Sequence, residues 1–323
     1  MRKLLIGCVL LLVSSVVAQA EDYPSRPVTM IVPLPAGSAF DVAARILAEG
    51  MQTSLGQPVV VENVTGAAGS IGTGRVARAA PDGYTLCFGG LITHVINGVQ
   101  LTLPYDVVND FEPVGLLATT ELLVVARKGF PTDDLKGLIA WLKANPDKAS
   151  QGSGGLGSLT HLAGVFFQQQ TGTRFNIVPY RGAGAAINDL VAGHIDFMFD
   201  LAPNSLPHVH TGAIKAYAVM AKMRLPALPD VPTVDEAGLA GFYASAWQAM
   251  WAPKNTPHDA VQKLNAAIAA ALENRALRSR LADIGEEIFP REQQTSESLA
   301  SFHKAELDKW KPIIKAANGA AAK

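Results

Sequence analysis

Apolar residues fall along this chain in two alternating patterns, short unbroken runs and stripes at helical spacing, and the alternation outlines an α/β fold. Residues 28–33 form a first apolar run and predict a strand. After a Gly/Pro turn, Val42, Ile46, Leu47 and Met51 recur on one helical face, which predicts a helix from Asp41 to about Leu55, ended by Gly56-Gln57-Pro58. Val59-Val60-Val61 predicts a second strand. Residues 63–74 are a Gly/Ala-rich loop opening a helix that reaches Arg78, and after the turn Pro81-Asp82-Gly83 a third strand is expected at 84–88. Strand, helix, strand, helix, strand is the order of a parallel sheet covered by helices. Ligands of such sheets bind beyond the carboxyl ends of the strands, which makes the turn at 33–41 the first candidate site.

Two β-rich runs, 114–118 and 122–126, mark where the chain is expected to cross into a second lobe. There the acids of Thr132-Asp133-Asp134 cap a helix running to about Asn145, and a glycine-rich loop at 151–160 opens a helix near His161. A strand at 177–180 leads to the turn Arg181-Gly182-Ala183-Gly184 and a helix at 185–192. Strands follow at 195–199, ending at Asp200, and at 216–220. The proline-punctuated loop 226–232 is read as the way back to the first lobe. It is followed by a strand at 246–252, a helix begun by Thr256 and Pro257 with the stripe Val261, Leu264, Ile268 and Leu272, and a last helix at 296–317. No internal repeat is visible. The expected division is a signal peptide at 1–20, a first lobe at 21–122, a second lobe at 123–240, and a return to the first lobe with the C-terminal helices at 241–323.

The start of the chain changes where this fold is expected to reside. Arg2 and Lys3, an apolar run at 4–13 and Ala18-Gln19-Ala20 have the form of a secretory signal peptide cleaved after Ala20, which predicts a periplasmic protein. Cys8 leaves with the signal. Cys87, between Leu86 and Phe88, has no partner for a disulfide and is expected to be a small buried hydrophobe. The chain has 27 Lys+Arg and 28 Asp+Glu. Without Arg2 and Lys3 there are 25 against 28, a net charge of −3 that gives no footprint for nucleic acid or an anionic membrane. About 300 mature residues suit two lobes better than one.

The candidate chemistry lies at helix starts. Ser38-Ala39-Phe40-Asp41 has the Ser-x-x-Asp spacing of a capping box, and the unpaired amides and dipole of a helix N-terminus stabilise an anion by roughly 0.3–2 kcal/mol. Three glycine-rich turns, at 36–41, 152–161 and 181–185, stand at passages into helices in both expected lobes. None is followed by Gly-Lys-Ser/Thr, and none has a dinucleotide fingerprint in its βαβ context. Micromolar binding needs about 8 kcal/mol, whereas one hydrogen bond to a charged group nets roughly 1.5–3 kcal/mol. One helix end is therefore insufficient, and a small carboxylate held between opposed N-termini would meet the requirement. Arg181 is the cation nearest a candidate turn. Asp200, at a strand end, would face a cleft, and Trp247 and Trp251 are core residues or a cleft wall. His208 and His210 lack a third ligand for a metal. Ser153, Ser158 and His161 lie close in sequence, but no Gly-x-Ser-x-Gly elbow stands between a strand and a helix.

Several motifs together resemble the extracytoplasmic solute receptors of tripartite tricarboxylate transporters, the Bug proteins. They are Tyr23-Pro24-Ser25-Arg26-Pro27, Val32-Pro33-Leu34-Pro35-Ala36-Gly37 with Asp41 and Arg45, and Gly56-Gln57-Pro58-Val59-Val60-Val61-Glu62-Asn63. They continue with Ala79-Ala80-Pro81-Asp82-Gly83-Tyr84-Thr85-Leu86, Leu103-Pro104-Tyr105-Asp106, His161-Leu162-Ala163-Gly164, Val178-Pro179-Tyr180-Arg181-Gly182 and Ala227-Leu228-Pro229-Asp230-Val231-Pro232-Thr233. The resemblance covers nearly the whole mature chain. It implies a two-lobed periplasmic binding protein of the type II-like class, with the ligand cleft between its lobes. Such a receptor acts as a monomer without cofactor, takes a small carboxylate, and delivers it to a membrane permease. Carried over by residue, it nominates Leu34, Ala36, Gly37, Ser38 and Asp41 in the first lobe and Ser153, Gly157, Ser158, Tyr180 and Asp200 in the second. Where the family has Gly-Gly this chain has Gly37-Ser38, which suggests that Ser38 is a cap or a direct donor. Leu156 and Leu159 loosen the polar run of the family and suggest a ligand with an apolar body. The other readings of the residues are a secreted enzyme acting on a carboxylate and a receptor that feeds a sensor kinase.

Overall fold

The computed structural model describes residues 23–321, so the predicted signal peptide and its cleavage after Ala20 lie outside the described residues. From β1 (Val28–Val32) the chain passes through α1 (Ala39–Leu55) to β2 (Val59–Asn63), then through α2 (Ser70–Ala77) to β3 (Thr85–Gly90). β1 pairs in parallel with both β2 and β3. The predicted stripe of α1 is the buried one: Ile46, Leu47 and Met51 pack with Leu264, Ile268 and Leu272 in one apolar cluster. Each such large side chain, fully buried, contributes roughly 1.5–3 kcal/mol. Cys87 on β3 is fully buried, and burial pushes its thiol up to about 12.

After β3 comes a helical segment that the hydrophobic pattern does not announce, one π turn (Leu91–Ile96) and the short α3 (Asn97–Gln100). β4 (Phe111–Arg127) follows. The two β-rich runs expected at 114–118 and 122–126 are one 17-residue strand, because Thr119, Thr120 and Glu121 between them are buried and stay in the ladder. The chain continues through α4 (Leu135–Ala144), β5 (Ser150–Ser153), α5 (Leu159–Thr171), β6 (Asn176–Pro179), α6 (Ala183–Ala192), β7 (Phe197–Leu201), α7 (Ala202–His210) and β8 (Ile214–Val219). It returns through β9 (Ser245–Pro253), α8 (His258–Glu273), α9 (Arg275–Asp283), β10 (Glu287–Ile288) and α10 (Ser296–Ala321). α7 is hidden from a pattern reading by Pro203 and Pro207 inside it. At α8 the structure sets the helix start one residue later than expected, with Pro257 at the cap position and the Thr256 hydroxyl donating to the Pro253 carbonyl at 2.7 Å.

Strand β4 joins two halves of one sheet, ordered β2-β1-β3-β9-β4-β7-β5-β6. Its residues 111–121 pair with β9, and residues 122–127 pair with β7 and β8. The return passage meets it at the same place, with Leu122 N–H on the Ala244 carbonyl and Ala244 N–H on the Met220 carbonyl. Strand sense follows from the pairings. β3 and β4 are both antiparallel to β9, so β1 and β3 run with β4, toward the second half. β7 is antiparallel to β4 and parallel to β5, and β6 is parallel to β5, so these run toward the first half. The carboxyl ends of the parallel strands in both halves therefore point at the junction between them.

α10 ties the two halves together on one side. It packs on β4 and on the segment after β3, and its Trp310 ring lies 6.2 Å from Phe166 of α5. Trp247 and Trp251 are both buried, and Trp247 donates to a Glu306 carboxylate oxygen of α10 at 3.0 Å.

Candidate ligand-binding site

The turn that ends β1 and starts α1 is closed by its own side chains. Gly37 sits at φ +80°, a left-handed conformation that glycine adopts without a Cβ penalty, and Ser38 follows as N-cap. The Ser38 hydroxyl accepts from Asp41 N–H at 3.2 Å and donates to the Pro35 carbonyl at 2.8 Å, while Ser38 N–H donates to the same carbonyl at 3.3 Å. Asp41 reaches back to the Gly37 N–H at 2.9 Å, one residue earlier than a standard capping box. Its other partners are Arg45 Nε at 3.0 Å and Asn63 Nδ2 at 2.8 Å. Burial alone would raise this carboxylate, but Arg45, the Gly37 amide and Asn63 outweigh it and hold Asp41 below its ordinary range. Asn63 also bonds the Leu34 carbonyl at 3.1 Å and accepts from Arg45 Nη2 at 2.8 Å.

The turn that starts α5 repeats this geometry with different residues. Gly157 sits at φ +76°, Ser158 is the N-cap, and its hydroxyl accepts from His161 N–H at 3.2 Å and donates to the Gly155 carbonyl at 2.7 Å. Ser158 N–H donates to that carbonyl at 3.2 Å. In the position of Asp41 stands His161, whose Nδ1 accepts from Gly157 N–H at 3.3 Å. That bond assigns the proton to Nε2, and burial lowers the imidazole pKa, so the ring is neutral. At both starts the first two helical amides, of Ala39 and Phe40 and of Leu159 and Thr160, have no intrahelical acceptor. Both helices begin at carboxyl ends of parallel strands that point at the junction.

The nominated residues are not equally placed. Ala36 and Gly37 are exposed, and Leu34 and Ser38 half-buried, at the α1 start. Ser38 is a cap and not a direct donor, since its hydroxyl is spent on Pro35 and Asp41. Gly157 lies against α3, where a Cβ would meet the Gln100 side-chain amide at 3.0–3.1 Å, and this brings the two halves into contact. Ser153 is fully buried with its hydroxyl on the Val178 carbonyl at 3.4 Å, which ties β5 to β6. Tyr180 donates to Asp189 at 2.6 Å, and burial with this bond pushes its hydroxyl up to about 12. Asp200 is also fully buried, accepting from Ser205 Oγ at 2.8 Å and Asn204 Nδ2 at 3.3 Å. Burial raises it to about 6. The cleft-facing Asp200 expected from sequence is thus turned into the first turn of α7. Arg181 is exposed at the start of α6. Leu156 is 69 % exposed on the lobe-two loop, whereas Leu159 belongs to the core.

The Gly/Ala-rich loop expected at 63–74 lies beside the site, a placement not read from its sequence. Ala67 and Ala68, at φ +46° and +55°, sit in a left-handed pair beside the α1 turn, held by Asn97 Nδ2 on the Ala68 carbonyl at 2.8 Å. The next residue, Gly69, is so close that a Cβ would meet the Pro33 carbonyl at 3.1 Å. Strained backbone of this kind concentrates at binding sites. Gly66-Ala67-Ala68-Gly69 is the signal that could have found it.

A two-lobed α/β sheet whose parallel strands converge on one junction, with an open helix N-terminus from each side, defines a solute-binding receptor. Residues 43–319 match the family model described as tripartite tricarboxylate transporter family receptor. The chain belongs to that family of periplasmic solute receptors. It is 37 % identical over 298 residues to protein BugT of Bordetella pertussis, covering 92 % of this chain and 90 % of that one. Among solved structures, MatC from Rhodopseudomonas palustris, with bound malate, is 38 % identical at TM-score 0.73, covering 90 % of this chain and all of that one. The R. palustris protein Rpa4515, with adipate, is 32 % identical at TM-score 0.75, covering 92 % of this chain and 99 % of that one.

Proposed function

We propose that this chain captures a small carboxylate between its two lobes and delivers it, as a monomer, to a tripartite tricarboxylate-type permease. The observation that carries this reading is the pair of matching helix starts, one from each half, at strand ends aimed at one junction. The amides of Ala39 and Phe40 take one end of the ligand, within the turn formed by Leu34, Ala36, Gly37, Ser38 and Asp41. The amides of Leu159 and Thr160 take the other, within the loop of Gly157 and Ser158. Ser153, Tyr180 and Asp200 hold the second-lobe loops in place. The lobes are residues 21–122 with 241–323, and residues 123–240, moving about the two strands that meet at Glu121 and Ser245. The carboxylate ligands of MatC and Rpa4515 support the ligand class.

The protein binds its ligand and does not transform it. A nucleophile needs a base within hydrogen-bond reach, but the Ser158 hydroxyl donates to the Gly155 carbonyl and His161 Nδ1 accepts a hydrogen bond from the Gly157 amide. The test is a thermal-shift screen of ligand-stripped mature protein against mono-, di- and tricarboxylates, aromatic ones included, with recovery of the compound. A ligand at 100 times its Kd adds about 2.7 kcal/mol, a shift of a few degrees for a chain of this size. Intact recovery of a hit is the expected result. A hit that is consumed, or no shift with any carboxylate, rejects the reading. Deletion of the gene is expected to abolish uptake of the same compound, and mass analysis of the exported protein to show Glu21 as its first residue.

A further inference from the structure

A chamber of about 190 Å³ lies between α10 and the lobe-one ends of the two strands that cross between the halves. Its wall is aromatic and aliphatic, with Phe111 of β4 and Trp251 of β9 facing Ala300 and Leu307 of α10. A more open groove of about 560 Å³ continues from it, and the two share Val107, Val108, Lys304 and Leu307. None of the residues nominated for the inter-lobe site lines either space.

Two kinds of polar group are left unspent there. His303 lines the chamber and is only 6 % exposed. Its Nε2 donates to the His94 carbonyl at 2.7 Å, and its Nδ1 has no hydrogen-bond partner among the described residues. Since Nε2 carries the proton, Nδ1 is an acceptor inside an apolar chamber. Burial lowers the pKa of this ring and keeps it neutral. Along the groove, Lys304, Lys311 and Lys315 lie at spacings of seven and four on one face of α10, and none has an ion-pair or hydrogen-bond partner among the described residues. Two acids stand among them. Asp106 is spent on the amides of Val108 and Asn109, and Asp308 leaves the lysines in excess.

We propose that chamber and groove form a second binding site, for an amphipathic carboxylate whose apolar body is about the size of one ring. A dry cavity of about 150 Å³ holds benzene, and ligand sites are mostly apolar spaces with a few placed polar groups. The ring lies against the wall formed by Phe111 and Trp251, a hydroxyl at its buried end donates to His303 Nδ1, and the carboxylate sits at Lys304.

The probe is 4-hydroxyphenylacetate, titrated by calorimetry into the intact mature protein. Lys304 and Val108 are exposed, so Lys304→Glu and Val108→Trp test the site without disturbing the core. One equivalent is expected to bind, about tenfold more weakly to Lys304→Glu and not at all to Val108→Trp, whose indole covers the chamber mouth. Phenylacetate, without the hydroxyl, is expected to bind about fivefold more weakly. Absence of saturable binding overturns the proposal. So does binding that Val108→Trp leaves intact, which would place the probe elsewhere, the inter-lobe junction included. These outcomes are independent of the carboxylate screen, because neither substituted residue belongs to the junction.

Discussion

The starts of α1 and α5 share one turn, a left-handed glycine followed by a serine cap that both accepts from the third helical amide and bonds back across the turn. They differ in the residue that holds the glycine amide. α1 uses a carboxylate, Asp41, and α5 a neutral imidazole, His161. A free carboxylate beside an anion site would be repulsive, but this one is absorbed by Arg45, Asn63 and the Gly37 amide. The cost is a turn that depends on a charge network, with Asp41 buried and Arg45 half-exposed. The α5 turn depends on a longer, neutral bond and has less to lose. A scaffold can thus present two similar sets of free amides held by different chemistry, a charge network at one end and a neutral bond at the other.

The largest expected effect breaks the comparison at its charged end. Asp41→Ala leaves the Gly37 amide without its acceptor and takes one bond each from Arg45 and Asn63, and is expected to lower unfolding free energy by about 2–3 kcal/mol in urea titration, against about 1–2 kcal/mol for His161→Ala. Equal losses would mean that the charge network adds nothing to the α1 turn. The caps come next. Ser38→Ala and Ser158→Ala are each expected to cost about 1 kcal/mol, and to add in the double variant because they share no partner. Strong non-additivity would show that the two turns are coupled across the junction.

Glycine substitutions separate stability from closure. Gly37→Ala and Gly157→Ala each force a left-handed alanine at about 1 kcal/mol. The Cβ at Gly37 meets nothing within 4 Å, while that at Gly157 presses on Gln100. Loss of the ligand-induced Tm shift is therefore expected in Gly157→Ala alone. A loss in both would shift the barrier from closure to the turns themselves.

The smallest effect is in pH. Asp41 has a lowered pKa, so its contribution is complete above about pH 3.9 and is lost as pH falls through the folded value. His161 is also lowered, but as a base. The unfolded chain binds its proton first, so this contribution is complete above about pH 6.5 and erodes below it. Between pH 7.5 and 5.5, His161→Asn is expected to flatten the stability curve by a few tenths of a kcal/mol relative to wild type, and Asp41→Asn to leave its slope unchanged. The difference curve is required, because Glu121 and Glu286, raised by burial to about 8 and about 7, titrate nearby with the opposite sign.

Much of this was legible in the chain. β1, β2 and β3 with the two helices between them follow from apolar runs, the stripe on α1 and the breakers after it, all local signals. The helical segment 91–100, α9 and β10 were not read from the pattern. Ser38 could be placed as a cap because capping is decided within four residues, whereas Ser158 was read only as part of the glycine-rich loop before His161. Other features were not local. β4 looked like two strands because Thr119-Thr120-Glu121 is polar, and only burial against β9 and β10 makes it one. Asp200 at a strand end looked free to face a ligand, and only the first turn of α7 takes its carboxylate. No repeat was visible in the sequence, since Pro35-Ala36-Gly37-Ser38 and Gly155-Leu156-Gly157-Ser158 share two residues in four.

The amino-acid sequence by itself determined the α/β class, the cap of α1 and the family, because periodicity, capping and motif spacing are properties of neighbours along the chain. The tertiary structure decided that both helix starts aim at one junction, since strand sense depends on which distant strands pair. It also decided which polar side chains remain open and which are consumed. Asp41, Ser153 and Asp200 are spent on partners in the fold, and Lys304, Lys311 and Lys315 of α10 are not, among the described residues. That distribution is set by burial and long-range contact, which no stretch of sequence contains.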